Sequence, residues 1–489
     1  MKTLESIQDF KGTYPKQLWS LFFTEMWERF CFYGNRGMLV IFMTDILLFK
    51  QGEAQLKYGA IQAFVYAFTF IGGLFADKIL GFQKSLLWGG LLMILGSSLL
   101  GMDAQHNFFY GICLIIIGTG FFKPNISTMV GDLYKPGDIR RDAGFSLFYS
   151  GINIGALLGG GLCVYVGKTQ SWNLAFLLSG IFMCVGLINF LLTRKNLGPI
   201  GLEPAHAEPG HLKRKQLMVY GGSILCLPLI YIMVTNTAYT DLFMYIVGPL
   251  TLFYLFYEMK ALERAANIKL VAALIFIFLS IVFWAFFEQS GGSLSLVARD
   301  LLSNDLGFIK LDPNVANNSS NSLFIILLSP LIGFLWIWLK KKNVEPNYYQ
   351  KFGIAFFFLS LAFYIFYALR FNLNSSGTAS LWLFLLAYFI ISFGELFLSP
   401  IGLSLMTKLA PKHLGGIMMG MWFLASSYGQ YFAGILGAGM SSPDEHASLA
   451  TRLHGYTEGY HQLAIYALIT GLVVIVLSKW LNRLMGDAA

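Results

Sequence analysis

Long apolar segments recur along the whole chain and leave little room for any architecture other than a membrane bundle. A helix needs about 20 apolar residues to span the hydrocarbon core of a bilayer. We identify fourteen such segments, centred near residues 30, 67, 92, 119, 154, 182, 225, 248, 283, 331, 361, 394, 426 and 471. The sequence therefore predicts an all-α polytopic membrane protein with fourteen transmembrane helices.

The composition supports this prediction. The chain of 489 residues is 56% hydrophobic and only 12% charged, whereas a soluble domain is about 25% charged. The mean hydropathy is +0.62.

The first segment contains Glu25, Glu28 and Arg29 and has no cleavage site of small residues after it. We therefore expect it to remain in the mature protein rather than act as a signal peptide.

The distribution of basic residues indicates the orientation in the membrane. If the N-terminus is cytoplasmic, 24 of the 34 lysines and arginines fall in cytoplasmic segments, 7 in outside segments and 3 within spans. Cytoplasmic loops of membrane proteins carry such an excess of basic residues. We expect both termini to be cytoplasmic, and the net charge of +8 then needs no nucleic-acid partner.

A polar linker divides the helices into groups. Residues 193–215 are rich in proline, glycine and charge and separate six spans from two hydrophobic helices and then six more. The predicted divisions are an N-terminal six-helix bundle (1–193), a cytoplasmic linker (194–215), two extra helices (216–260) and a C-terminal six-helix bundle (261–489). Two six-helix halves are typical of a transporter with a substrate site at the midplane.

No motif indicates a metal, a cofactor or an enzyme. The five cysteines lie in apolar segments without metal-ligand spacing, and the chain has no HExxH, GxSxG or phosphate-loop pattern. We therefore predict no metal site, no cofactor and no catalytic residues. The alternatives are a membrane-embedded enzyme and a purely structural protein. An enzyme would need a nucleophile–base or metal constellation at the midplane.

Seven ionisable residues lie inside the predicted spans. Each costs about 2.5 to 3.5 kcal/mol at mid-bilayer on insertion scales, so such residues pair with one another or line water. They are Glu25, Glu28, Arg29, Arg36, Lys123, Glu288 and Glu395. Four acids face three cations, and a buried acid without a permanent partner is a place where a transported proton could bind.

The first span concentrates four of these charges. Glu25, Arg29 and Arg36 lie within about 40° of one another around a helix, with Glu28 at the side. Glu25 and Arg29 also have the i,i+4 spacing of a favourable acid–base pair. Two interpretations remain open: the charges form a proton relay and a substrate site, or the ion pairs only fix the packing of the helices.

Four motifs now resemble those of a known family. They are "EMWERFCFYG" at 25–34, "GGLFADKILG" at 72–81, "GTGFFKPNIS" at 118–127 and "FGELFLSPIGLSLMTKLAP" at 393–411. Their sequences and order are similar to the proton-coupled oligopeptide transporters of the major facilitator superfamily, and the two extra helices resemble the bacterial members. The resemblance implies a major facilitator fold.

The resemblance also implies roles for individual residues. Residues matching proton-coupling positions are Glu25, Glu28, Arg29, Lys123 and Glu288, of which Glu288 would pair with Arg36. Arg36 and Lys123 match positions for the peptide carboxylate, and Glu395 matches the acid that receives the amino terminus. Further residues resembling site-lining positions are Tyr33, Tyr66, Asn153, Trp284, Asn321 and Trp422.

The implied function is proton-coupled import of di- and tripeptides by alternating access. We expect a monomer in the bacterial inner (plasma) membrane, with Pro124, Gly291, Gly292, Pro330 and Pro400 as candidate bending points. The alternative cargo is another small zwitterion or anion, such as nitrate or a peptide-like drug.

One position departs from the family motif. Phe32 stands where the motif has a tyrosine, so a hydroxyl is missing from the first span. The substitution is either neutral or alters the preference for peptide side chains or peptide length.

Overall fold

The described part of the chain is helical, with loops between the helices. The computed structural model describes residues 3–204, 209–398, 402–411, 414–441 and 447–486. The first nine helices are α1 (Leu4–Gln8), α2 (Lys16–Asp45), α3 (Gln51–Phe75), α4 (Phe82–Met102), α5 (Ala104–Asp132), α6 (Arg141–Thr169), α7 (Trp172–Thr193), α8 (Pro209–Leu225) and α9 (Leu227–Thr235).

Nine further helices follow in the described ranges. They are α10 (Thr237–Met259), α11 (Arg264–Phe287), α12 (Ser293–Asp300), α13 (Pro313–Lys341), α14 (Tyr348–Ala368), α15 (Leu381–Leu398), α16 (Gly402–Leu409), α17 (Gly415–Met440) and α18 (Leu449–Leu484). The predicted all-α fold is confirmed.

Most of these helices have the length and composition of membrane spans. Among the described residues, twelve helical stretches are long and apolar enough to cross a membrane. Helices α2 and α17, of 30 and 26 residues, lie at the two remaining predicted spans. At about 1.5 Å per residue, both exceed the thickness of a hydrocarbon core. The buried charges of α2 lower its mean hydropathy, and α2 is therefore not among the twelve stretches identified as spans by length and composition.

The chain forms two compact units. Unit 1 comprises Met1–Phe42 and Phe64–Asn236, and unit 2 comprises Met43–Ala63 and Thr237–Ala489. Helix α3 therefore contributes its first half to unit 2 and its second half to unit 1. The bundle boundaries given above describe the order of spans in the sequence and stay a prediction.

The candidate bending points Gly291 and Gly292 coincide with a break between two helices. Helix α11 gives way to a 3-10 segment, Glu288–Gly291, before α12 begins at Ser293. Pro124 and Pro330, in contrast, lie inside continuous helices α5 and α13. Pro400 lies outside the described residues.

Glycines bring α6 into close contact with α2 in unit 1. Gly151, Gly155 and Gly159 recur every four residues and share one face of α6. A Cβ atom at Gly155 would lie 2.1 Å from the carbonyl oxygen of Met26, and one at Gly159 would lie 2.2 Å from that of Phe30. Only glycine fits at this distance, so these positions set how closely α6 approaches the charged helix.

The segment after α7 packs against the start of α4, also in unit 1. The side-chain amide of Gln83 donates a hydrogen bond of 2.7 Å to the carbonyl oxygen of Ile200. Gly81 has a φ of +74°, and a Cβ there would lie 2.6 Å from the backbone nitrogen of Glu203. A hydrogen bond from Lys84 lowers the pKa of the Glu203 carboxyl group.

Candidate functional site

Two acids flank one arginine in the interior of unit 1. The Nε atom of Arg29 lies 3.1 Å from Oε1 of Glu25 and also forms an ion pair with Oε2 of Glu28. All three side chains are buried, with at most 2% of their surface exposed. The predicted i,i+4 pairing of Glu25 with Arg29 is confirmed. We refer to these three residues as the Arg29 cluster.

The acids of the Arg29 cluster retain oxygen atoms that could bind a proton. Within the described residues, no hydrogen bond reaches Oε2 of Glu25 or Oε1 of Glu28. Two carboxylates and one guanidinium would carry a net charge of −1 if all were ionised. Burial makes an excess charge unfavourable, so a neighbouring cation or a bound proton stabilises the cluster.

Lys123 of α5 supplies the second cation. It interacts electrostatically with both Glu25 and Glu28. Its Nζ atom lies 4.2 Å from the centre of the Tyr66 ring and 5.9 Å from that of the Phe32 ring. The structure thus places Lys123 and Tyr66 near the Arg29 cluster, and their roles in transport stay a prediction.

Phe32 lies beside both cations. Its ring centre is 5.3 Å from Cζ of Arg29, in addition to the contact with Lys123, and the side chain is 4% exposed. Faces of aromatic rings attract cations through the ring quadrupole. Sequence reasoning noted Phe32 only for its missing hydroxyl and overlooked this contact, although the i,i+3 spacing from Arg29 indicates it.

The remaining predicted residues of unit 1 lie along α2 and α6. Cζ of Arg36 lies 5.7 Å from the ring centre of Tyr33, and both side chains are half-buried. Asn153 is buried, and its side-chain amide donates a hydrogen bond of 3.0 Å to the carbonyl oxygen of Tyr149, one turn earlier on α6.

The predicted residues of unit 2 begin at the break after α11. Glu288 is buried and opens the 3-10 segment, and Trp284 lies one turn before it. A Cβ at Gly429 would lie 2.6 Å from Cβ of Trp284, which places α17 directly against α11. Trp422 of α17 is buried against Gly402, where a Cβ would lie 1.8 Å from the indole ring.

Asn321 and Glu395 lie together in unit 2. The side-chain amide of Asn321 donates hydrogen bonds of 2.9 Å to Oε2 of Glu395 and 3.2 Å to the hydroxyl of Ser392. Both Asn321 and Glu395 are half-buried. The carboxyl group thus has a fixed neighbour from α13 and is not fully enclosed, as a binding group for a cationic ligand requires.

Unit 2 also contains a charge network that sequence reasoning missed. Asp300 accepts hydrogen bonds from Arg299 (2.8 Å) and Gln51 (3.2 Å) and forms an ion pair with Arg452. Arg299 also pairs with Asp45 at 2.5 Å. We call these five residues the Asp300 network. Sequence reasoning missed this network because Asp45, Gln51 and Arg452 lie far from Asp300 in sequence.

These features together define a class of protein: a polytopic α-helical membrane protein with ionisable groups inside its helix bundle. The family model described as PTR2, POT family, matches residues 83–453. The peptide transporter YePEPT of Yersinia enterocolitica subsp. palearctica serotype O:3 (strain YE-P4) is 33% identical, with 97% of this chain and 96% of that protein covered.

Two further comparisons agree. Dipeptide and tripeptide permease B of Yersinia enterocolitica serotype O:8 / biotype 1B (strain NCTC 13174 / 8081) is 28% identical, with 97% of this chain and 96% of that protein covered. A crystal structure of a mutant of peptide transporter POT in complex with alafosfalin is similar with a TM-score of 0.85 and 31% identity, and 100% of each chain is covered. The chain belongs to the POT family.

Proposed function

We propose that this protein is a proton-coupled symporter that imports di- and tripeptides. The observation that carries the proposal is the buried Arg29 cluster with Lys123 beside it. Membership of the POT family supports the cargo, since the Yersinia relatives are named a peptide transporter and a dipeptide and tripeptide permease. No catalytic step on the peptide is part of this function.

The peptide ends provide the chemistry of recognition. A short peptide at neutral pH has a positive amino terminus and a negative carboxylate, whatever its side chains. Arg36 and Lys123 would bind the carboxylate, and Glu395, oriented by Asn321, would bind the amino terminus. The aromatic and amide residues would line tolerant side-chain pockets: Tyr33, Tyr66, Asn153, Trp284 and Trp422.

Charge balance explains how a proton would be coupled to the peptide. Glu25, Glu28, Arg29 and Lys123 carry no net charge when all four are ionised. A peptide carboxylate at Lys123 would add one negative charge, and a proton on Glu25 or Glu28 would restore neutrality. Similarly, a proton on Glu288 would remove its attraction for Arg36. Peptide and proton would therefore stabilise each other inside the protein.

Alternating access would convert this binding into transport. Protonation must change the relative stability of the outward- and inward-facing states, because a ligand with equal affinity for both shifts nothing. An inside-negative potential adds about 2.3 kcal/mol per net charge for each 100 mV. We further propose a monomer in the bacterial inner membrane with both termini in the cytoplasm, in agreement with the distribution of basic residues.

Uptake of labelled dialanine into liposomes tests the function directly. The purified protein is reconstituted, and uptake is compared with and without an inward proton gradient and an inside-negative potential. We expect accumulation that requires the gradient and is blocked by other dipeptides. Absence of accumulation by correctly folded protein would overturn the peptide assignment, and a competition screen of small zwitterions and anions, including nitrate, would then identify the cargo.

A further inference from the structure

A cavity of about 400 Å³ lies between the start of α2 and the end of α7. Five side chains of α2 line the cavity, and all but Gln17 recur at spacings of three and four residues, as on one face of a helix: Lys16, Gln17, Trp19, Ser20 and Phe23. The facing wall comes from α7 and includes Asn189 and Thr193. This cavity belongs to unit 1. Its lining residues include neither the Arg29 cluster nor Lys123 of α5.

Hydrogen bonds between the two helices fix the walls of the cavity. The amide of Asn189 donates to the carbonyl oxygen of Ser20 at 2.9 Å and to the hydroxyl of Thr24 at 2.8 Å. The hydroxyls of Ser20 and Thr193 are also hydrogen-bonded to each other. The cavity is therefore preformed, and a ligand would not need to order its walls on binding.

One side of the cavity has an exposed aromatic surface. Trp19 and Phe23 are 44% and 43% exposed, and their ring centres are 6.5 Å apart. Both side chains lie in the first two turns of a helix long enough to cross the membrane. Tryptophan is enriched at this depth, where the headgroup layer meets the hydrocarbon. The exposed rings offer a surface along which an acyl chain can pack.

The charge at the cavity is positive. Lys16 is exposed at its rim, and its nine lining residues include no acid. Arg194 and Lys195 directly follow Thr193 in the 3-10 segment Arg194–Leu197, and both are exposed. The start of α2 adds the partial positive charge of a helix N-terminus. A ligand that fits must therefore offer an anion at the rim.

We propose that this cavity binds an anionic phospholipid. Its phosphate would lie near Lys16 at the rim, and an acyl chain would pack along Trp19 and Phe23. A soluble phosphate ester has the same anionic group but no acyl chain to pack against the exposed aromatic surface. With the orientation proposed above, the lipid belongs to the cytoplasmic leaflet, where basic pockets between helices bind lipid headgroups.

Retention of lipid by the purified full-length protein tests this proposal. Protein in micelles is mixed with equal amounts of phosphatidylglycerol and phosphatidylcholine, and bound lipid is counted by native mass spectrometry. We expect preferential retention of phosphatidylglycerol by the parent. Lys16→Gln should weaken this retention about fivefold, the contribution of one basic residue near an anionic surface. Lys479→Gln, which changes an exposed lysine of α18, should leave it unchanged.

Two further arms make the outcome decisive. Trp19→Ala should weaken retention of the lipid without affecting any soluble anion, because it removes apolar surface and no charge. Millimolar glycerol 3-phosphate should fail to displace phosphatidylglycerol. Equal retention by the parent and Lys16→Gln, or displacement by glycerol 3-phosphate, would overturn the assignment of a phospholipid site. Dialanine uptake, measured in parallel, separates this result from failure of the proposed transport function.

Discussion

The side-chain amide of Asn321 donates a hydrogen bond of 2.9 Å to Oε2 of Glu395. This contact fixes a half-buried carboxyl group between α13 and α15 and leaves its second oxygen to other interactions. An acid held in this way loses little conformational entropy when it binds an ammonium group. This geometry supports the proposal that Glu395 receives a peptide's amino terminus.

We predict that Glu395→Ala weakens dipeptide binding by tenfold or more, because the ammonium group of the peptide loses the carboxylate proposed to bind it. Asn321→Leu should weaken binding by about 1 kcal/mol, the usual value of one hydrogen bond. Equilibrium binding of a labelled dipeptide measures both effects. Ser329→Ala, on the same helix but bonded only to a preceding carbonyl, serves as the control. Undiminished binding by Glu395→Ala would remove this residue from the site.

Glu28→Gln should abolish proton-driven accumulation while leaving peptide counterflow largely intact. The amide cannot bind a transported proton, but it has nearly the same shape as the carboxyl group beside Arg29. Uptake under a proton gradient and exchange between equal peptide concentrations on both sides separate the two activities. Glu5→Gln, at an exposed acid of α1, controls for the substitution itself. Gradient-driven accumulation by Glu28→Gln at the parent rate would contradict the assignment of Glu28 to proton coupling.

Phe32→Tyr should change the preference for peptides. The tyrosine ring keeps its face toward Arg29 and Lys123 and adds a hydroxyl to a buried site. Inhibition of dialanine uptake by a panel of dipeptides and tripeptides measures the preference. Phe32→Leu, which removes the ring, should instead lower stability by about 0.5 to 2 kcal/mol. Identical inhibition profiles for Phe32→Tyr and the parent would show that the substitution is neutral.

Gly155→Ala should destabilise the protein, because its Cβ would lie 2.1 Å from the carbonyl oxygen of Met26 and 2.9 Å from Cβ of Arg29. Helix α6 would have to move away from α2, at a cost of about 1 to 3 kcal/mol. Thermal unfolding in detergent measures the change. Gly222→Ala is a matched control, since a Cβ there meets nothing within 4 Å. Equal unfolding midpoints for the two variants would contradict the proposed packing.

Asp300→Asn should lower stability by about 2 kcal/mol. Arg299 and Arg452 would lose the carboxylate that both contact, and hydrogen bonds to charged groups contribute about 1.5 to 3 kcal/mol each. Asp305→Asn tests the same chemical change in an exposed loop, where the side chain only accepts a hydrogen bond from Gly307. Comparable unfolding midpoints for both variants would mean that the Asp300 network contributes nothing measurable.

Local patterns predicted much of this architecture. Segment length and hydropathy predicted the helices, and helical spacing predicted the ion pair of Glu25 with Arg29. Gly291 and Gly292 correctly indicated a break between two helices, because a pair of adjacent glycines is a local signal that can be read from the sequence. Each of these features depends on contacts within one helix or one turn.

Features that depend on contacts between distant helices were not predicted. The Asp300 network joins the ends of α2 and α12 to the starts of α3 and α18, and no spacing rule connects such positions. Pro124 and Pro330 lie inside continuous helices, so a kink at either position stays a prediction. Likewise, the glycines of α6 have a meaning only once α2 is known to lie against them.

The position of Phe32 gives the charge cluster an unusual property. A carboxylate attracts a cation only while it is ionised, so each proton that binds Glu25 or Glu28 weakens the attraction for Arg29. The quadrupole of an aromatic ring does not titrate. Part of the attraction on Arg29 and Lys123 would therefore be the same before and after the proposed protonation, because both cations contact the same ring.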